Sequence, residues 1–299
     1  MKRREFLKQS AAFAAGCMAL PEFGRPLSSG RPDLAVVSNG EPAELVRAAV
    51  QALGGIESFI SRGDTVALKV NMSWDRIPAQ AANTNPEIVA EVVRLCRAAG
   101  ARRVAVFDRT LNDAKRCYHR SGIEAAAKDA GAHVFYMHPG RYTRVRFPEA
   151  SALKSWEIYR DALEADTIIN IPVAKHHSIS GVSLGMKNFM GWIGGDRGRL
   201  HRNFSVKLTD LNTVIKADLT ILDAYRMLVR NGPSGGNPAD VTLPKTVVAG
   251  TNVVSVDSYG ARLFNRNPAE LPFLAEAESR GLGTTDLDSI IIKEITLNA

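Results

Sequence analysis

The densest collection of reactive side chains lies between Lys175 and Gly198. It holds Lys175, His176, His177, Ser178, Lys187 and Asn188 among repeated glycines. Glycines at 181, 185, 191, 194, 195 and 198 let backbone N–H groups come close to a ligand, and the two lysines supply positive charge. A helix over 183–190 would set Ser183 and Lys187 on one face. The chain has no Gly-x-x-x-x-Gly-Lys-Ser/Thr loop and no Gly-x-Gly-x-x-Gly after a strand, which argues against a nucleotide. Histidine titrates near working pH, so His176 and His177 are candidates for moving protons. With His201 and either Asp223 or Asp257 they could also form a metal-binding set, although no His-Glu-x-x-His spacing is present.

These residues need a scaffold, and strand-like and helix-like stretches alternate along the chain. Leu34–Val37, Asp64–Val70, Arg103–Phe107, His133–Tyr136, Thr167–Val173, Leu219–Leu222, Thr246–Ala249 and Ile290–Ile295 read as strands. Helical spacing runs over Glu41–Ile60, from Pro86 to about Ala99, and over Ile123–Ala130, Val206–Lys216 and Val254–Phe264. This alternation predicts an α/β fold, a mostly parallel sheet with helices on both faces. The expected organisation is one domain over 30–299, with two lobes as the alternative and 140–156 as an insertion. In such sheets ligands bind at the carboxyl ends of the strands. Asn71 (with Lys69 two residues before it), Asp108, Lys175 with its neighbours, Asp223 and Gly250-Thr251-Asn252 (with Asp257 one turn into the next helix) come at or just after strand ends. We therefore expect Lys69, Asn71, Asp108, Lys175, His177, Lys187, Asp223 and Asp257 to line one pocket, with 231–236 near its mouth. His176, His177, Asp223 and Asp257 are the catalytic candidates. Lys69, Asn71, Asp108, Lys175, Ser178, Lys187 and Asn188 are the substrate-binding ones.

With 45% hydrophobic and 23% charged residues the composition is that of a globular protein, not a disordered one. Residues 1–29 carry five Lys/Arg and two Asp/Glu, which leaves +4 of the net +7 on the remainder. That is too little for a nucleic-acid-binding face and is compatible with a small anionic ligand. The chain has three cysteines, Cys17, Cys96 and Cys117, and no Cys-x-x-Cys, so an iron–sulfur cluster is not expected. Cys96 has the spacing of a core thiol, and a Cys96–Cys117 disulfide is an open alternative. Lys2-Arg3-Arg4-Glu5-Phe6-Leu7-Lys8 followed by the apolar stretch 10–20 reads as a twin-arginine signal, with a tether up to residue 29. It predicts export to the periplasm by the twin-arginine machinery. Ala14-Ala15-Gly16-Cys17 makes Cys17 a candidate lipid anchor.

Several strings, in order, cover nearly all of the chain beyond the leader. They are Val66-Ala67-Leu68-Lys69-Val70-Asn71, Thr84-Asn85-Pro86-Glu87, Gly100-Ala101-Arg102-Arg103-Val104, the segment from Lys175 to Gly191, Asp223 with Gly232-Pro233, and Val256-Asp257. Together they resemble the domain-of-unknown-function family 362. Val70 stands where that family often has proline. Some of its members also carry ferredoxin-like cysteine motifs, which this chain lacks, so the resemblance transfers no cluster. It implies the fold and the site more than a reaction. Three functions compete: an exported enzyme acting on a small anionic or carbonyl-bearing substrate, a non-catalytic periplasmic binder of a ligand or cofactor, and a redox partner. The last lacks both cysteine ligands and a cofactor motif.

Overall fold

A computed structural model describes residues 30–298; the leader, Cys17 and the arginine pair lie outside the described residues. The chain opens with β1 (Leu34–Ser38) and α1 (Pro42–Ala52), then β2 (Thr65–Val70) and α2 (Pro86–Ala98). Next come β3 (Arg103–Val106), α3 (Ala114–Arg120), α4 (Ile123–Asp129) and β4 (His133–Val134). A separate hairpin, β5 (Tyr142–Arg146) and β6 (Ser155–Tyr159), leads through α5 (Arg160–Glu164) to β7 (Thr167–Ile171). The central stretch holds β8 (Val173–His177), β9 (Gly181–Ser183), α6 (Gly185–Asn188) and α7 (Phe204–Val214). The last part comprises β10 (Leu219–Leu228), β11 (Val241–Thr242), β12 (Thr246–Gly250), α8 (Val253–Leu263), α9 (Pro272–Ser279) and β13 (Ile292–Thr296).

The main sheet runs in the order β13-β1-β12-β10-β7-β2-β3-β4, with β8, β9 and β11 attached beside β10. It is mostly parallel: β7, β2, β3 and β4 share one direction with β10. The strands are apolar on both sides because helices cover both. Alternation along each strand divides the core. Val66, Leu68 and Val70 pack with Leu45, Val46, Ile88 and Val92 of α1 and α2. Ala67, Val248 and Leu222 pack with Leu211, Val256 and Leu274 on the other face, among α7, α8 and α9. Successive strand residues point to opposite faces, so Lys69 shares the face of Ala67.

The local sequence explains the boundaries. In α2, Pro86 occupies the first turn, Asn85 caps it by accepting the Glu87 N–H at 3.0 Å, and Gly100 follows with φ +83°. The long helix expected over Glu41–Ile60 stops at Ala52, because Gly54 and Gly55 adopt φ +91° and +82°. Pro172 lacks an N–H for the ladder and divides the strand expected over Thr167–Val173, giving β7 and β8. β12 runs antiparallel to both β1 and β10. Gly250-Thr251-Asn252 therefore leave the sheet at the end opposite the carboxyl ends of β2, β3 and β7. Instead of meeting a ligand, the Asn252 side chain caps α8, accepting the N–H groups of Val254 and Ser255 at 2.9 and 3.1 Å. Cys96 and Cys117 are both free and buried, so the disulfide alternative is set aside.

Candidate active site

The site is built on a buried polar network at the ends of β2 and β3. Lys69 is fully buried, and its ammonium pairs with Asp108 at 2.9 Å. Its other partners are the Val70 carbonyl and Asn188 Oδ1, the latter at 3.3 Å. Asp108 also accepts the Met72 N–H at 2.7 Å, which ties the two strand ends together. Asn188 is the hub. Its Oδ1 takes the Asn71 amide at 3.2 Å, and its Nδ2 donates to the Lys69 carbonyl and to Asn170 Oδ1, each at 2.9 Å. From Asn71 the network reaches Lys175, whose Nζ donates to Asn71 Oδ1 at 3.0 Å and to the Ala82 carbonyl at 2.6 Å. Gly191 closes the floor. A Cβ there would sit 1.9 Å from Asp108 Oδ1 and 2.7 Å from Lys69 Nζ, so no other residue lets the backbone approach the ion pair so closely.

Above this floor is a cavity of about 200 Å3, lined by Asn71, Lys175, His177, Lys187 and Asn188, with Ser73, Trp74, Ser183, Arg197, His201 and Pro233 among the remaining walls. Three cations meet there, and none of them touches a carboxylate among the described residues. Lys175 has the two oxygens already named. Lys187 lies over the Phe204 ring with Nζ 5.7 Å from its centroid. Arg197 donates to the carbonyls of Arg109 and Thr110 at 2.9 and 3.0 Å. Burial penalises these charges, and neighbouring cations add to the cost. Burial, reinforced by the charge of Lys187, pulls Lys175 down to about 7. Burial and then Arg197 bring Lys187 down to about 8. Arg197 is lowered by burial and by Arg109.

The two adjacent histidines part company because they lie in the strand β8. It pairs with β9 in the register Lys175↔Ser183, His176↔Val182, His177↔Gly181. Alternation then sends Lys175 and His177 to one side and His176 to the other. His177 Nδ1 accepts the N–H groups of Ile179 and Ser180 at 3.1 and 3.4 Å, so in the neutral ring the proton sits on Nε2. Burial, followed by the charge of Lys187, pushes His177 down to about 3, which keeps it neutral at working pH. Its ring stacks on His201 with centroids 6.0 Å apart, and His201 stacks in turn on Phe204 at 5.6 Å.

The other predicted residues lie elsewhere. His176 Nδ1 accepts the Gly232 N–H at 3.1 Å, holding the 231–236 loop from outside the cavity. A Cβ on Gly232 would fall 2.0 Å from the His176 carbonyl, so the loop rests directly on that strand and presents Pro233 to the cavity. Ser178 is exposed in the turn between β8 and β9. Asp223 accepts the N–H groups of Asn85 and Tyr225 at 2.7 and 3.0 Å and is pushed up to about 6 by burial. Asp257 accepts those of Gly185 and Met186 at 2.6 and 2.8 Å and is pushed up to about 7 by burial. Both aspartates hold the starts of helices rather than facing the cavity. The helix expected to carry Ser183 begins at Gly185; Ser183 ends β9, and both it and Lys187 still reach the cavity. Among the described residues no three His, Cys, Asp or Glu side chains gather as metal ligands. The sequence reading missed Arg197, Ser73 and Trp74. Arg197 lies in the glycine-rich segment as its one arginine before Gly198, which was a signal to weigh.

The family described as "Domain of unknown function (DUF362)" matches residues 66–262, which contain every residue of this network and cavity. The chain belongs to that family. A DUF362 assignment agrees with its relatives: a thylakoid-associated protein of Synechocystis sp. is 27% identical over 248 residues, covering 80% of this chain and 75% of that protein. Among solved structures, the lactate racemase apoprotein from Thermoanaerobacterium thermosaccharolyticum gives a TM-score of 0.47 at 11% identity, over 78% of this chain and 57% of that one. A protein from Thermotoga maritima gives 0.44 at 11%, over 80% and 60%. The chain thus spans less than two thirds of either structure, and neither likeness bears on the chemistry of the site.

Proposed function

We propose that this DUF362 protein is an enzyme that takes a small anionic, carbonyl-bearing molecule into the cavity described above. The observation that carries the reading is the meeting of Lys175, Lys187 and Arg197 around one cavity, none of them in contact with a carboxylate among the described residues. Cations drawn out of water, Lys175 wholly and Lys187 and Arg197 in part, are costly without a contacting anion unless a ligand supplies one. The cavity is smaller than the roughly 300–1,000 Å3 of ordinary small-molecule sites, which favours a compact ligand. Lys187 and Arg197 would hold the anionic group. His177, kept neutral with its proton on Nε2, would donate a hydrogen bond to an oxygen of the substrate. A neutral imidazole in that role polarises a carbonyl instead of acting as a base.

A non-catalytic binder needs the same cations. What favours a reaction is that His177 is held uncharged and that Lys175, lowered to about 7, can shed its proton near working pH, since holding an anion alone would favour their charged forms. The reading is tested by titrating malonate and inorganic phosphate into the purified protein by calorimetry. Each charge-assisted hydrogen bond is worth about 1.5–3 kcal/mol, so Lys187→Ala and Arg197→Ala should each weaken binding roughly ten- to a hundredfold. Heat signals that are absent in the wild type, or unchanged in both variants, would remove the anion site. We further propose that the protein works outside the cytoplasm, delivered through its Arg3-Arg4 signal, with Cys17 as a candidate tether.

A further inference from the structure

We propose that Lys175 is a covalent nucleophile, forming an imine with the carbonyl carbon of a small 2-oxo acid whose carboxylate is held by Lys187 and Arg197. The proposal deepens the anion-site reading and rests on it. Its starting point is a count of hydrogens. Lys175 Nζ has two acceptors, Asn71 Oδ1 at 3.0 Å and the Ala82 carbonyl at 2.6 Å, and no carboxylate among the described residues. An ammonium carries three N–H groups, whereas a neutral amine carries two and a lone pair. The two oxygens therefore match the neutral amine and leave its lone pair free at the wall of the cavity.

The contrast with Lys69 sharpens the point. Lys69 is as deeply buried and burial lowers it as well, but it has three partners, one of them the Asp108 carboxylate, whose charge works against that fall. Two buried lysines joined through Asn188 and Asn71 thus differ in their contacts, one touching a carboxylate and one touching two neutral oxygens. The fall of Lys175 to about 7 agrees with the donor count. A desolvated lysine among cations is a recognised way to activate an amine.

The chemistry balances without an oxidant or a reductant. The Nζ lone pair attacks the carbonyl carbon, and the C–O π electrons move to oxygen, which takes one amine proton to give a carbinolamine. That hydroxyl then leaves as water with the second amine proton, and the C=N bond forms. His177 Nε2–H is the group available to stabilise the oxygen as charge builds on it.

The test is reductive trapping. The wild-type protein is incubated with isotopically labelled pyruvate and cyanoborohydride near neutral pH, and the labelled residue is mapped by peptide mass spectrometry. We expect one dominant adduct, on Lys175. Malonate has the carboxylates but no ketone, and at about ten times its dissociation constant it should cut labelling about tenfold. Lys175→Arg should lose the adduct while keeping the wild-type circular dichroism spectrum. Label spread over exposed lysines and insensitive to malonate overturns the imine. So does no label at Lys175 in a protein that binds malonate and loses that binding in Arg197→Ala; in that case the anion site survives. If malonate does not bind the wild type, the anion-site reading itself fails. The mapping uses the wild-type chain, so a misfolded variant does not decide the outcome.

Discussion

At the residue scale, the charges around the cavity make stability depend on pH with a definite sign. An unfolded lysine keeps its proton to about 10.5, whereas in the fold Lys175 releases it near 7 and Lys187 near 8. Between these values the unfolded chain binds more protons than the folded one, so stability rises with pH. Without added anion, the unfolding free energy should increase from about pH 7 to about pH 8.5 by on the order of 1–2 kcal/mol, after discounting for solvent at the partly exposed Lys187. The gain should shrink in Lys175→Met. A bound anion favours the charged amines, so malonate should raise the melting temperature most at the lower pH. Stability that falls across this window would mean the amines stay charged. Gly191 offers a second test. Its Cβ position collides with the Lys69–Asp108 pair, and breaking a buried pair costs about 3–5 kcal/mol, so Gly191→Ala should lower the denaturation midpoint accordingly. A near-wild-type midpoint would refute the close approach. Lys69, Asn71, Lys175 and Lys187 were legible from their types and their places after strands. Arg197 and Trp74 were not, because they sit in segments with no periodicity to say which way they face.

At the element scale, α6 is one short helix, yet it carries both Lys187 and Asn188 into the site. So short a helix does not hold itself in place. Asp257 holds it, reaching from α8 to accept the first two N–H groups of α6. Asn in its place has one acceptor oxygen and turns an N–H donor towards a backbone donor, which leaves a buried N–H unsatisfied at about 1–3 kcal/mol. Asp257→Asn should therefore speed amide exchange at Gly185 and Met186 and weaken malonate binding about tenfold or more, without any contact to the ligand. Protection and affinity both at wild-type levels would deny Asp257 this positioning role. The sequence marked Asp257 and Asp223 as reactive because they are acidic and lie near strands. A carboxylate that satisfies backbone amides has the same sequence signature as one that meets a substrate. The direction of β12 and the strand character of β8 were hidden for a related reason. Both depend on pairing with distant residues, and the alternation that separates His176 from His177 exists only once β9 has paired.

At the scale of the whole molecule, the sheet that carries the site draws on both ends of the described residues. β1, near the start of the described residues, is held between β12 and β13. Asp33 accepts the Ile291 N–H at 2.8 Å, and the Asn39 amide donates to the Leu297 carbonyl at 2.8 Å. The cavity joins Asn71, Lys175 and Pro233, which come from widely separated stretches. These contacts join residues far apart in the sequence, and folds dominated by such distant pairings form slowly. A route that carries a finished protein suits this topology better than one that threads an unfolded chain and demands refolding outside the cytoplasm. The arginine pair at Arg3 and Arg4 is the sequence feature that would select such a route. The sheet itself was legible, since buried parallel strands are written as short apolar runs. The proposed destination rests on residues outside the described ones. Replacing both arginines by lysine preserves charge and leaves residues 30–298 untouched, so the variant should fold with wild-type thermal stability and remain in the cytoplasm. Fractionation of cells expressing the variant, with immunoblotting of periplasm and cytoplasm, measures this directly. Delivery to the periplasm at the wild-type level would show that the pair is not read as a signal, and the extracytoplasmic assignment would fall with it.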